Sequence, residues 1–440
     1  MRRGAGVVDA AVAVEEVWRQ ESSRLLGALL RITRSVDQAE DLAQEALAQA
    51  LDTWPRSGIP DNPAAWLMTA AKRRAIDHFR AGARQLRAYA VAAHGSAEAY
   101  EAEFDEALSG EHIRDDVLRL MFTCAHPALS EDSRTILTLR LVAGLSTREI
   151  ARAYLTSEAT VATRISRAKR GLADVAAALE QPVGAERDER LRSVRAAVYL
   201  LFNEGYSASA GTDWTRPELC REGVRLAAIL AWMTPEDPES HGLLALVELQ
   251  TSRLDARVDD KGQPVLLADQ DRRRWDHQAI SRGMGALTVA VHLGGQGQYV
   301  LQAAIAAEHA RARSVEDTDW ERIAGLYGRL ARETGSVVVE LNRAVALGKA
   351  RGPAAALRLV DEIAAAPALA SYHLLPSVRG DLLEQLGRHA EAAIEFRRAV
   401  GLATNEPERD LLLRRAQDRS PENGADRPRT DRDRQHSADR

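Results

Sequence analysis

The residues of this chain best suited to chemistry lie between Gly144 and Leu172 (GLSTREIARAYLTSEATVATRISRAKRGL). Ser146 and Glu149 have the spacing of a capping box, in which each side chain satisfies a backbone donor at a helix start. Leu155–Ser157 interrupts that helix, and Ser157 can cap a second one. On the second helix Val161, Ile165, Ala168 and Leu172 share one stripe. Thr163, Ser166, Arg167 and Arg170 face the other way, flanked by Thr160 and Arg164. Arginine can bond guanine bidentately and threonine can reach bases or phosphates, so two short helices with this outer face suit entry into the major groove. A plain helical hairpin with a solvated basic face has the same periodicity.

Two further helices carry polar faces. In Asp37–Trp54 (DQAEDLAQEALAQALDTW), Ala39, Leu42, Ala43, Ala46, Leu47 and Ala50 point one way, and Asp37, Glu40, Asp41, Gln44 and Glu45 the other. Such a face is either solvated surface or a docking face for a basic partner. In Asn62–Arg80 (NPAAWLMTAAKRRAIDHFR), Pro63 stands near the helix start. Leu67, Met68, Ala71, Ala75 and Phe79 form the apolar side, while Trp66, Thr69, Lys72, Arg73, Asp77 and Arg80 supply cations and a ring. Cations can hold phosphates and rings can stack on bases, a combination that fits single-stranded or melting DNA. The competing reading of Trp66 is ordinary core.

Other clusters point away from catalysis. Cys124 and His126 form a lone C-x-H pair, so no metal site is expected. Asp269, Gln270, Asp271, Arg272, Arg274, Trp275, Asp276 and His277 interleave opposite charges and read as an ion-pair network. Trp232, Trp275 and Trp320 read as core. There is no glycine-rich phosphate loop and no nucleophile–base pair, so neither an enzyme nor a cofactor is expected.

The elements that must position these faces are helical throughout. At 440 residues the chain has room for about three domains. Sustained period-two alternation is missing, so the fold class is all-α. Net charge is −5 overall, yet Arg134–Leu172 holds eight Lys/Arg against two Glu, and Lys72–Arg87 holds six against Asp77 alone. Two basic islands in an acidic chain suggest two phosphate contacts. No apolar run is long enough for a membrane span, nor is there a secretory signal. With only two cysteines the expected compartment is the cytoplasm. The expected units are residues 14–87, an acidic linker at 88–112, a second helical unit at 113–180, a third at 188–416, and a disordered tail at 417–440. In the third, Gly380, Leu383, Gly387, Ala392, Phe396 and Ala399 fall where a tetratricopeptide repeat wants small or packing residues. Gly352 lies 35 residues before Gly387 in a weaker copy. Stacked hairpins of this kind present a concave surface suited to a protein or peptide ligand.

In this order and spacing, the three polar-faced segments resemble the extracytoplasmic-function sigma factors of bacterial RNA polymerase. DQAEDLAQEAL is similar to the region 2 helix that docks on the β′ clamp of core polymerase. That similarity implies core-binding roles for Asp37, Glu40, Asp41, Gln44 and Glu45. WLMTAAKRRAIDHFR resembles the segment that captures and melts the −10 element, and HPALSEDSRTILTLRLVAGLSTREIARAYLTSEATVATRISRAK resembles region 4, which reads the −35 element and meets the β flap. The resemblance implies −10 roles for Trp66, Thr69, Lys72, Arg73, Asp77 and Arg80. It implies −35 roles for Ser157, Thr160, Thr163, Arg164, Arg167 and Arg170. YLLFNEGY, DQDRRRWDHQAI, TDWERIAGLY and VVELNRAVAL are similar to segments of the subgroup that bears a tetratricopeptide-like C-terminal extension. The implied architecture is a region 2 helical bundle, a region 4 helix-turn-helix domain and a modulating helical extension, with core polymerase and promoter DNA as partners. Arg73 stands where many members carry asparagine, and Ala162 where lysine is usual, so the promoter sequence does not transfer. The alternative class is a one-component helix-turn-helix regulator that senses a peptide and needs no polymerase.

Overall fold

Side-chain caps set many of the helix starts in the computed structural model, which describes residues 2–88, 113–153, 156–173, 182–206, 215–259, 264–403, 409–410 and 412–413. Most of the linker, the turn residue Leu155 and the C-terminal tail lie outside the described residues. Ser35 accepts from the Gln38 amide (3.3 Å), Asn62 Oδ1 from Ala65 (3.0 Å), and Ser157 from Thr160 (3.1 Å). Each bond satisfies a helix-start donor that would otherwise have no partner. Among the described residues the structure is all helix and loop, with one isolated bridge between Val258 and Pro264.

The chain divides into two compact units. The first contains α1 (Arg2–Thr33), α2 (Val36–Ser57), α3 (Pro63–Ala88), α4 (Ile113–Cys124), α5 (Glu131–Leu137), α6 (Thr147–Ala153), α7 (Glu158–Ala173), α8 (Gly184–Tyr206) and α9 (Pro217–Met233). α1 packs on α2, α3 and α4; α7 packs on α5 and α6; and α8 packs on α9, α4 and α5. The apolar stripes foreseen on α2 and α7 are the buried ones: Ala39, Leu42, Ala43, Ala46, Leu47 and Ala50 on the former, Val161, Ile165, Ala168 and Leu172 on the latter.

The third unit expected from residue 188 is therefore divided. Residues 184–206 and 216–247 belong to the first compact unit. Arg134 Nη1 donates to Ser193 Oγ (3.2 Å) and Arg225 Nη2 to the Val142 carbonyl (3.3 Å). Apolar burial of Leu191, Val194, Val198 and Phe202 accompanies these bonds.

α10 (Pro238–Thr251) runs across the boundary into the second unit. There α11 (His277–His292), α12 (Gln298–Arg311), α13 (Trp320–Thr334), α14 (Val337–Arg351), α15 (Pro353–Ile363), α16 (Leu374–Gln385) and α17 (His389–Leu402) each pack on the next. The residues singled out for repeat packing sit at the α16–α17 crossing. Leu383, Ala392, Phe396 and Ala399 are fully buried, and a Cβ on Gly380 would stand 2.8 Å from the Phe396 ring.

Of the three tryptophans expected in the core, Trp275 is buried and Trp320 half-buried, but Trp232 is 50 % exposed. It lies beside Ala231 and Met233, which take the two buried positions at the end of α9.

Candidate nucleic-acid and polymerase interface

The helix-turn-helix pair is α6 and α7. The capping box forms as spaced: the Ser146 amide donates to Glu149 Oε2 (2.8 Å), and the Glu149 amide to Ser146 Oγ (3.2 Å). Ser157 caps α7 and its hydroxyl lies 2.8 Å from that of Thr160. Thr163, Arg164, Arg167 and Arg170 are exposed on one face, opposite the buried stripe, with Thr160 half-buried at its edge. Thr163 returns its hydroxyl to the Ala159 carbonyl (2.9 Å). No described carboxylate pairs with Arg164, Arg167 or Arg170, so their charge is available to an anionic partner.

α3 presents Thr69, Arg73 and Asp77 to solvent, with Lys72 and Trp66 half-buried. The Trp66 ring meets the buried Trp54 edge-on, centroids 5.5 Å apart at 71°. It is thus braced by the core and partly open. The Arg80 side chain lies outside the described residues.

The acidic face of α2 is not uniform. Asp37, Asp41, Gln44 and Glu45 are exposed, whereas Glu40 is 7 % exposed. Arg140 Nε donates to Glu40 Oε1 (2.8 Å), and Lys169 Nζ stands 2.6 Å from Glu40 Oε2 and 2.9 Å from Asp37 Oδ1. Arg140 comes from a π-helical turn, Thr138–Val142, whose Ala143 amide reaches back to the Thr138 carbonyl (3.0 Å). Lys169 comes from α7 itself. Burial pushes the Glu40 carboxyl up, but the charges of Arg140 and Lys169 outweigh it and hold the group below its ordinary value. Burial likewise pulls Lys169 down, and its bonds to Glu40 and Asp37 more than restore it.

The placement of Glu40 with the outward carboxylates is thereby corrected. Val36, Glu40, Ala43 and Leu47 follow a 4-3-4 spacing that lies along the inward edge of α2. That spacing was the available signal. The identity of the covering cations had none, since Arg140 lies 100 residues away.

Further contacts join the same elements. Trp18 Nε1 donates to the Gly144 carbonyl (2.9 Å), and Arg19 to Glu149 (3.0 Å). Gly144 has φ of +71°, and a Cβ there would stand 2.5 Å from Ser22 Oγ. At Gly27 a Cβ would meet the Asp116 carbonyl at 2.8 Å, so α1 and α4 touch backbone to side-chain-free backbone.

The remaining sequence candidates resolve into structure. Cys124 is fully buried, and burial pushes its thiol well up. His126 Nδ1 accepts from the Ala128 amide (3.1 Å), a turn bond. Among the described residues no group of three or more His, Cys, Asp or Glu side chains could hold a metal ion. In the Asp269–His277 cluster, Arg273 pairs with Asp271 (2.9 Å), and Asp276 caps α11 by accepting from Gln278 and Ala279. Arg272 pairs with no described carboxylate; it lies over the Trp275 ring, 4.6 Å from its centroid.

An acidic helix, a basic aromatic helix and a helix-turn-helix with a cationic outer face are the features expected of a promoter-recognition protein of the sigma class. Comparison with known families agrees. Residues 17–85 match Sigma-70 region 2, residues 119–172 match Sigma-70 region 4, and residues 190–291 match the family of unknown function DUF6596. An uncharacterised protein of Rhizobium meliloti is 45 % identical over 383 residues, covering 87 % of this chain and 90 % of that protein. The ECF RNA polymerase sigma factor SigK of Mycobacterium ulcerans is 29 % identical over 34 % of this chain and 78 % of its own length. SigK of Mycobacterium tuberculosis is 29 % identical over 39 % of this chain and 89 % of its own. No solved structure matches the chain. The chain belongs to the extracytoplasmic-function sigma factors of RNA polymerase, with a helical C-terminal extension. Its function is promoter-specific transcription initiation, and its partners are core RNA polymerase and promoter DNA. No described helix is long and apolar enough to cross a membrane.

Proposed function

We propose that the outer face of α7 (Ser157, Thr160, Thr163, Arg164, Arg167 and Arg170) reads the −35 duplex. In the same reading Trp66, Thr69, Lys72, Arg73, Asp77 and Arg80 of α3 engage the −10 strand. The α2 carboxylates Asp37, Glu40, Asp41 and Glu45, with Gln44, meet the β′ clamp, and the surface of residues 113–180 meets the β flap. The observation that carries the reading is the cationic face of α7, set opposite its fully buried stripe. Phosphate contacts from such a face make DNA affinity fall steeply with salt.

The packed first unit is, in this reading, a closed resting state. The −10 and −35 elements lie about 25 base pairs apart, roughly 85 Å at 3.4 Å per step. α7 cannot reach one while Lys169 ties it to Asp37 and Glu40 on α2 at 2.9 and 2.6 Å. The same tie covers part of the face assigned to polymerase. Binding core polymerase therefore requires α2 and α7 to separate. The C-terminal helices modulate this opening, as a tetratricopeptide-like extension with a ligand surface of its own.

Run-off transcription with purified core polymerase, on the promoter upstream of this chain's own gene, tests the function. The full chain yields promoter-specific transcript. Asp41→Lys with Glu45→Lys, both exposed and unneeded for the closed contacts, abolishes core binding and with it the transcript. A transcript undiminished by the double reversal would remove α2 as the docking face.

Arg167→Ala tests the reading helix. Loss of a bidentate base contact costs about 1–3 kcal/mol and relaxes one −35 position. An unchanged preference across a library randomised at the −35 element would withdraw the assignment.

A further inference from the structure

The second unit contains a cavity of about 280 Å³ that the promoter-binding machinery does not use. Its walls come from four segments spread between residues 267 and 349. Arg272 projects from the DQDRRRWD segment, Trp320, Ile323 and Tyr327 form one stripe of α13, and Asn342 and Lys349 lie two turns apart on α14. His309, at the end of α12, completes the ring of polar groups.

Three observations define what such a cavity takes. First, its lining carries two cations, Arg272 and Lys349. Neither makes a direct ion pair among the described residues, while Glu316 lies near enough to be felt by both and Asp317 by Arg272. Arg272 is nevertheless rigid: Nη1 donates to the carbonyls of His309 (2.6 Å) and Ala312 (2.7 Å), and its plane rests on Trp275. A guanidinium held in this way presents its remaining donors in a fixed fork, the arrangement that suits a carboxylate.

Second, His309 is an uncharged group with an unused atom. Burial above all, then Arg253 and Arg272, hold its pKa down to about 4, so the imidazole is neutral at physiological pH. Its Nδ1 is shut off from solvent and has no hydrogen-bond partner. A buried polar nitrogen in that state is costly, and a ligand atom is one way to satisfy it.

Third, the walls are aromatic and aliphatic. Trp320 meets His309 edge-on, centroids 5.3 Å apart at 70°, and its own Nε1 is engaged with the Val315 carbonyl (3.2 Å), so the ring offers only its apolar surface. Leu267, Val315 and Ala346 extend that surface. A few convergent polar groups in a mostly apolar cleft are the ordinary make-up of a small-molecule site.

We propose that this cavity binds a small aromatic carboxylate, with its carboxyl between Arg272 and Lys349 and its ring against Trp320 and Tyr327. The site stands apart from the sigma reading: binding is measured without polymerase or DNA, so failure of one leaves the other intact.

The test uses the full chain and two pairs of probes, benzoate with benzamide and indole-3-acetate with indole-3-acetamide, followed by isothermal titration and ligand-observed NMR. At least one carboxylate binds at one equivalent, and its amide binds at least tenfold more weakly. Lys349→Met, on an exposed position, lowers carboxylate affinity at least tenfold and leaves the thermal midpoint unchanged. Arg272→Met does the same if it folds. Trp320→Leu weakens indole-3-acetate more than benzoate. Equal binding of acid and amide, binding indifferent to Lys349→Met, or no binding of either carboxylate overturns the proposal.

Discussion

Replacing Arg140 and Lys169 together by alanine opens the first unit and tightens its binding to core polymerase. Both cations converge on Glu40, whose side chain is 10 % exposed. Removing them leaves a buried carboxylate without a counter-charge, a change that costs about 3–5 kcal/mol. The chain relieves that cost by moving the helix-turn-helix away from α2 and hydrating Glu40. Spin labels at Gln44→Cys on α2 and Ser166→Cys on α7 report the separation directly, since Cys124 and Cys220 are buried and stay unlabelled. Core polymerase selects the open form, so its apparent affinity rises by the factor with which closure had been favoured. Label distances and core affinity both unchanged in the double variant would refute the closed-state reading.

The same cluster gives closure a pH window. A carboxyl held below its ordinary value stabilises the form that holds it there. That contribution is complete above the ordinary carboxylate range and is lost as pH falls through the depressed value. Closure is therefore at full strength at neutral pH and loosens only on strong acidification. Glu40→Gln removes this acid dependence of the label distance.

The other large effect lies at the α16–α17 crossing. Phe396 is fully buried, and its ring fills the space left by Gly380. Phe396→Ala costs about 3–5 kcal/mol by leaving a cavity that the two helices cannot close without sliding. Hydrogen exchange detects this as lost amide protection in α16 and α17, while α1–α7 keep theirs, since they belong to the other compact unit. Uniform loss across the chain would instead mean that the two units unfold together.

How much of this was legible beforehand depended on distance along the chain. The buried stripes of α2 and α7 and the capping box at Ser146 are written in spacings of three and four residues, and the structure has them. The exposed outer face of Thr163, Arg164, Arg167 and Arg170 emerges from the same periodicity. Glu40 reads as outward from its polar neighbours although it holds a seam position, because the cations that cover it lie in other helical segments. The division of the extension at residue 247 was equally hidden. The buried residues of α8 and α9 do not name their partners by spacing, and only contacts such as Arg134 with Ser193 say where the helices pack. The cavity in the second unit was the least legible. Arg272, His309, Trp320 and Lys349 each look like ordinary surface or core until four separate elements bring them together.

The tie between Lys169 and the α2 carboxylates has a consequence for gene dosage. A restraint supplied by a second protein is titrated: making more of the transcription factor outruns its inhibitor and produces activity without a signal. In the proposed closed state the restraining helix and the restrained face are synthesised in equal number, and their encounter is intramolecular, so it does not weaken on dilution. On that proposal, raising the amount of this chain leaves the fraction open unchanged, and the threshold for opening is set by the sequence and not by the expression level.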